Sequence, residues 1–267
     1  MLCERKRGKD LAKHLFIPDT QVKPGVPTEH LEWCGQYIVD KQPDVVIMAG
    51  DFADMPSLSS YDSKGSKKFE GRRYVADIMS AASGMNKLLR PLRDYQKWTV
   101  TSHKPRYEPR LVLTLGNHED RITRAVNNDP HTLEGRMGIE ELGYEEAGWE
   151  VYPFLQPVVI DGVAYCHYFT SGVMGRPVTA AKALLTKKHM SCVAGHQQGW
   201  DIANDKRADG VYMTAIIAGS FYQHDEDYLD HQSNKHWRGV IMLHEVKDGA
   251  YQPMLVSIEY LRRKYGK

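Results

Sequence analysis

Nothing in the 267 residues forms an apolar run near the ~18 that a membrane-spanning helix needs, and mean hydropathy is −0.51. Cysteine is scarce. There are four, Cys3, Cys34, Cys166 and Cys192, and none sits in a CxxC pair. A zinc knuckle needs clustered ligands, so these cysteines read as reduced, buried thiols of a cytoplasmic protein. The basic opening, MLCERKRGKD, leads into no apolar stretch, so no signal peptide is expected. An excess of one charge is also missing: 35 Lys+Arg face 34 Asp+Glu, a net +1. The overall charge therefore points to no polyanionic partner, although local patches remain open. Internal repeats and low-complexity tracts are absent. With 42% hydrophobic and 26% charged residues, the composition excludes a disordered chain, a collagen-like repeat and a coiled coil.

What is present is a series of short apolar runs, each ending in polar residues. They are LFIPD (15–19), DVVIMAGD (44–51), RLVLTLGNH (110–118), GVAYCHY (162–168), HMSCVAGH (189–196) and VYMTAIIAGSF (211–221), with GVIMLHEV and YQPMLVSIEY near the end. Val, Ile and Tyr with flanking Gly predict buried strands. Between them, Leu31, Cys34, Ile38 and Val39 recur at helical spacing after Thr28, a candidate N-cap. Residues 72–95 form a second helical stretch, with Val75, Ile78, Met79, Met85, Leu88 and Leu89 on the expected apolar face. A third opens after Pro177 and runs from Val178 to Leu185, into Lys187, Lys188 and His189. Strands alternating with helices predict α/β layering, and the late strands without helices predict added antiparallel strands.

The strand ends carry the chemistry. Asp19-Thr20-Gln21 closes the first, Gly50-Asp51-Phe52-Ala53-Asp54 the second, and Gly116-Asn117-His118-Glu119 the third. His167 ends the fourth, and Gly195-His196-Gln197-Gln198 the fifth. Side chains at the carboxyl ends of neighbouring strands converge where α/β sheets place their sites. Asp, Asn, His and Gln are the donors expected around hard-to-borderline divalent cations. In this order, D-T-Q, G-D-F-A-D, G-N-H-E, C-H-Y and G-H-Q-Q resemble the motifs D-x-H, G-D-x-x-D, G-N-H-[ED], a lone His and G-H-x-H of calcineurin-like metallophosphoesterases. The resemblance spans residues 19–198. PSLSSYD after the second motif and HWRGV late in the chain also resemble phage-encoded members.

The resemblance implies two divalent cations bridged by Asp51. Asn117, His167 and His196 would complete the second position, and Asp19 with residues 21 and 198 the first. The family has His at both of the latter, whereas this chain has Gln21 and Gln198. The second position then suits Mn, Fe, Ni or Zn. The first, with two carboxylates and two amides, suits Mn or Mg and should bind more weakly. If the glutamines hydrogen-bond without ligating, one cation or an inactive site remains. The implied chemistry is in-line attack on phosphorus by a metal-activated hydroxide. His118, paired with Asp54, would assist the leaving group.

Other residues stay open at this point. Arg121 and Arg124, at i and i+3, and Arg176 beside a helix start are candidate phosphate ligands, or parts of a solvated face. Residues 55–110 carry twelve Lys or Arg against five Asp or Glu, among them Lys64, Lys67, Lys68, Arg90, Arg93, Lys97, Lys104 and Arg106. This stretch is either a wall that attracts nucleic acid or a solvated face. His224, His231 and His236, with Asp225, Asp227 and Asp230, are candidates to replace missing ligands, or an exposed loop.

The resemblance implies a four-layer α/β/β/α sandwich of two mixed sheets. We expect one domain over residues 1–267 with a basic insertion at about 55–110. The expected function is metal-dependent phosphoester hydrolysis, with Mn the leading cation and a phosphodiester, nucleic acid or nucleotide the leading substrate. The alternatives are a phosphomonoesterase and a degenerate scaffold of the same fold. Met55 and Pro56 stand where Ser/Thr protein phosphatases carry Arg-Gly, which discounts that class.

Overall fold

The computed structural model describes residues 11–60, 69–225 and 236–266. The first part alternates strand and helix: β1 (Ala12–Ile17), α1 (Glu29–Lys41), β2 (Val45–Met48), α2 (Tyr74–Thr101), β3 (Arg110–Thr114), α3 (Asp120–Asn128) and α4 (Pro130–Leu133). Strands then dominate: β4 (Glu150–Tyr152), β5 (Val158–Ile160), β6 (Val163–Cys166), β7 (Thr170–Ser171) and β8 (Arg176–Pro177). After α5 (Ala181–Lys188) come β9 (Cys192–Ala194), β10 (Asp201–Lys206), β11 (Tyr212–Ile217), β12 (Gly239–Lys247) and β13 (Ala250–Ser257), then α6 (Ile258–Tyr265).

Two mixed sheets result, ordered β13-β12-β1-β2-β3-β4 and β10-β11-β9-β6-β5. In the first, β1 to β4 run parallel and β12 and β13 add antiparallel. In the second, β6, β9 and β11 are parallel and both edges antiparallel. The period-2 alternation of each strand builds the layers. Phe16, Val45, Ile47 and Val112 meet Val163, Tyr165, Val193 and Ile216 of the other sheet in a dry core. Their neighbours Leu15, Ile17, Val46, Met48 and Leu113 face the other way, onto Leu31, Ile38, Met85, Leu88 and Leu261 of the helices. On the far side, Ala164, Cys166, Ala215 and Ile217 pack on Leu184 and Leu185 of α5. This is the four-layer sandwich expected from the sequence. Burying a side chain of this size contributes about 1.5–3 kcal/mol. A one-residue slip of β2 would exchange Ile47 and Met48 between two different cores, so its register is fixed.

Several local expectations need correction. Val75 and Met79 are 66% and 67% exposed, so the first turns of α2 face the core through Tyr74, Asp77 and Ile78 instead, and the fully buried apolar stripe begins at Ala81. Thr28 makes no side-chain cap; its hydroxyl accepts Lys87 Nζ instead (2.7 Å). Pro177 belongs to β8, and α5 starts later, its Ala181 N–H held by Asp201 Oδ2 at 2.7 Å. The closing apolar run ends in α6, where Ser257 Oγ accepts from Tyr260 N and starts the helix.

The start of α1 carries a pH liability. His30 is buried edge-on against Phe221 (4.9 Å), with Nδ1 3.1 Å from Gln223 Oε1. Burial pushes its pKa down to about 3 from the ordinary 6.5. As pH falls below 6.5 the unfolded chain takes a proton that the folded one refuses, so stability drops with pH in the window between 6.5 and about 3. Between pH 7 and pH 5 that difference is about 2 kcal/mol. His30→Gln should lose correspondingly less stability over this interval in urea titrations. Equal losses in both proteins would refute the assignment.

Candidate metal centre

The loops after β1, β2, β3, β6 and β9 meet at one edge of the sandwich. Loop 19–22 zips onto loop 51–54: Thr20 N and Gln21 N donate to Asp51 O, and Val22 N to Phe52 O. Close packing of the turns needs glycine at three places, one of them Gly50, where φ is 81° and a Cβ would come within 2.4 Å of Gly116 N. A Cβ on Gly116 would overlap Asp51 Oδ1, and one on Gly195 would come within 2.5 Å of Asp19 Oδ1. Five non-glycine residues of these loops hold positive φ, at Gln21 (45°), Asp51 (49°), Met55 (50°), His196 (68°) and Gln198 (55°). Such turns cost roughly 1–2 kcal/mol each and gather at sites that need particular side-chain directions.

Three of the expected second-position residues, Asp51, His167 and His196, offer ligand atoms within 4.8 Å of one another. His167 Nε2 lies 2.9 Å from Asn117 Oδ1, 3.2 Å from His196 Nδ1 and 3.4 Å from Asp51 Oδ2. His167 Nδ1 sits 2.8 Å from the Ala49 carbonyl and donates to it, which turns Nε2 toward the cluster. Burial lowers the His167 pKa, but Asp51 outweighs it and raises it to about 9. A proton and a cation thus compete for the same Nε2 position. Burial, and then His167, push His196 down to about 4, leaving it a neutral donor.

At the expected first position, Asp19 is fully buried. Its Oδ1 accepts His196 N (2.9 Å), while Oδ2 has no protein partner. Burial raises its pKa to about 6. Both amide atoms of buried Gln21 also lack a partner. Buried polar atoms rarely stay unpaired, and oxygen donors of this kind fit a divalent cation. Gln198 differs, because its Oε1 accepts the Tyr222 hydroxyl at 2.7 Å.

His118 stands beside this cluster. Its backbone N–H donates to Asp51 Oδ1 (2.8 Å), its Nδ1 is 2.7 Å from Asp54 Oδ1, and its Nε2 is 3.7 Å from Asp51 Oδ2. Burial lowers its pKa, but Asp51 and Asp54 more than offset this, and the net shift is upward. Burial would raise the Asp54 carboxyl, yet His118, Lys23 and Arg121 hold it well below the usual range.

The arginines divide. Arg121 is buried, and its Nη1 donates to Asp54 O (2.7 Å) and Met55 O (3.3 Å). Arg124 pairs with Asp120 (3.2 Å) and reaches Asn117 O (3.0 Å). Arg176 is exposed on β8. Three contributors had no assigned role in the sequence reading. Lys23 pairs with Asp54 (3.1 Å), and Tyr222 holds Gln198. Glu119 accepts the N–H groups of Asp51 (2.8 Å), Ala53 (3.0 Å) and Gly116 (2.9 Å). Only Glu119 had a visible signal, as the last residue of G-N-H-E.

The basic stretch is spread along the molecule. The 28 residues of α2 extend ~42 Å at 1.5 Å per residue, from the site toward the opposite sheet edge. Arg110, at the start of β3, marks that far edge. Lys64, Lys67 and Lys68 lie outside the described residues, as do Asp227, Asp230 and His231. His224 stacks on Tyr222 (4.6 Å), and Asp225 pairs with Arg238 (2.8 Å).

No protein-family model and no curated protein matches the chain. Solved structures do match. YfcE, a phosphoesterase from E. coli, aligns with a TM-score of 0.41 and 11% identity over 92% of this chain and 99% of that one. A conserved uncharacterized protein from Streptococcus pneumoniae TIGR4, a predicted phosphoesterase, aligns with a TM-score of 0.31 and 10% identity over 92% and 98%. No described helix is long and apolar enough to cross a membrane.

Proposed function

We propose that this chain is a metal-dependent phosphoester hydrolase acting on phosphodiesters. The observation that carries the reading is the convergence of Asp51, Asn117, His167 and His196 beside an imidazole held by a carboxylate. Those four residues would hold one divalent cation, and Asp19 and Gln21 a second, weaker one; Mn suits both sets. When bound, the cation supplies Lewis-acid polarisation of a phosphoryl oxygen and lowers the pKa of water toward neutrality. His118 keeps a proton on Nε2 for the leaving alkoxide. Asp54, at 2.7 Å from Nδ1, stabilises the imidazolium, and Lys23 and Arg121 keep Asp54 ionised. The reading places the protein in the cytosol as one domain, with the basic stretch 55–110 carrying its crossover helix. The bond from Tyr222 to Gln198 engages the amide oxygen expected at the first position, which leaves that cation fewer ligands and accounts for its weaker binding.

Hydrolysis of bis-p-nitrophenyl phosphate against p-nitrophenyl phosphate, with Mn added, tests this. Diester activity alone supports the proposal, monoester activity makes it a phosphomonoesterase, and inactivity on both makes it a scaffold. On a diester with an alkoxide leaving group, His118→Ala should lower turnover about 10²–10⁴-fold with Mn content unchanged, and on bis-p-nitrophenyl phosphate by less. Loss of Mn from that variant would overturn the role given to His118.

A further inference from the structure

Tyr168 follows the ligand His167 directly, yet it belongs to none of the packed cores. Its neighbours Tyr165 and Phe169 are buried (0% and 4%), whereas Tyr168 is half-exposed. Its ring lies 4.6 Å from His196, tilted by 44°, and 5.7 Å from His167. Phe154 stands at 81° to it with the ring centres 5.5 Å apart, and Phe154 itself is 6.4 Å from His167. Phe154 is also half-exposed, and the next residue, Leu155, holds a φ of 66°, a conformation unfavourable for leucine. The turn after β4 is thus strained beside Phe154, whose ring packs partly on the helix-side core and lies next to His167 and Tyr168. Among the described residues, the Tyr168 hydroxyl makes no hydrogen bond, so no polar contact in the fold accounts for the ring's position. Two aromatic rings with open surface beside buried metal-type ligands form a stacking face.

Resting on the phosphoester reading above, we infer that Tyr168 and Phe154, set at 81° to each other, form an aromatic corner in which one ring stacks and the other borders a planar aromatic group, such as a nucleobase, carried by the substrate next to its phosphoryl group. The corner adds selection among phosphoesters: an aromatic ester gains contact that a plain sugar or alkyl ester lacks. Stacking of one base on an aromatic side chain is worth about 5- to 150-fold in affinity.

Calorimetry on the Mn-loaded full chain tests this with thymidine 5′-monophosphate, deoxyribose 5-phosphate and inorganic phosphate as probes. Thymidine 5′-monophosphate should bind at least about 10-fold more tightly than the sugar phosphate. Tyr168→Ala should bring the two within about 2-fold, with inorganic phosphate unchanged, and Tyr168→Phe should retain the preference. Phe154→Leu, which keeps an apolar contact at the rim, should reduce the preference partly and serves if Tyr168→Ala does not fold. Equal affinity for the two nucleotide fragments in the parent protein, or a preference that survives Tyr168→Ala, overturns the corner while leaving the phosphoester reading intact. Failure of thymidine 5′-monophosphate to bind overturns the corner, and hydrolysis of bis-p-nitrophenyl phosphate then decides the phosphoester reading separately.

Discussion

If the proposed centre binds Mn, Asp51→Asn should weaken that binding by more than about 100-fold, because even outer-shell changes at metal sites cost 10–100-fold and this carboxylate lies within the cluster of ligand-type atoms itself. Asp51 Oδ1 is used by the His118 N–H at 2.8 Å, while Oδ2 faces the Nε2 atoms of His167 (3.4 Å) and His118 (3.7 Å). Asparagine preserves the first contact through its amide oxygen. It then turns an NH₂ group toward the ligand cluster, where two imidazoles and Asn117 already point. The change removes one full charge and replaces an acceptor by a donor, with little change of volume. A second readout is independent of metal. The His167 pKa, raised to about 9 chiefly against burial by Asp51, should fall in metal-free Asp51→Asn, and NMR titration of the imidazole would follow it. Unchanged Mn affinity, or an unmoved His167 titration, would remove Asp51 from the centre of the site.

How much of this was legible in the sequence depends on how far each partner lies along the chain. The layers were legible because the apolar runs at 15–17, 45–48 and 110–114 are local, and the second and third end in Gly-bearing turns. The clustering of Asp51, His167 and His196 was legible because they sit at strand ends, in motifs only a few residues long. Long-range partners were not. Tyr222 reaches back to Gln198, Asp201 caps a helix that starts twenty residues earlier, and His14 spans the sheets to Tyr165 (2.7 Å) and Asp161 (3.0 Å). Arg121 and Arg124 show the same limit. Spacing of three places them together on α3, but only the packed neighbours decide that one is buried on Asp54 and the other pairs with Asp120. Helix ends were misplaced where a distant side chain supplied the cap, as at Ala181, and at the end of α2, which runs past the expected residue 95 to Thr101.

Glu119→Ala should destabilise the protein by about 3–5 kcal/mol, the cost of removing one partner from a buried charged network. Glu119 is wholly buried, and one carboxylate ties two loops together: the Asp51 and Ala53 N–H groups come from the turn after β2, and the Gly116 N–H from the turn after β3. The Tyr144 hydroxyl adds a fourth contact at 3.3 Å. Alanine leaves three buried N–H donors with no acceptor, each costing about 1–3 kcal/mol, in a region with no room for a rearranged backbone. One effect opposes this. Burial, and then the charge of Asp51, raise the Glu119 pKa, so deleting the carboxylate relieves like-charge repulsion. Glu119→Gln separates the two contributions, since it drops the charge and keeps one acceptor oxygen. If the strap of N–H bonds dominates, the alanine variant should melt on the order of 10 °C lower and the glutamine variant should fall between it and the parent. If repulsion dominates, Glu119→Gln should be at least as stable as the parent. An alanine variant within about 1 kcal/mol of the parent would show that the turns after β2 and β3 hold their positions without Glu119.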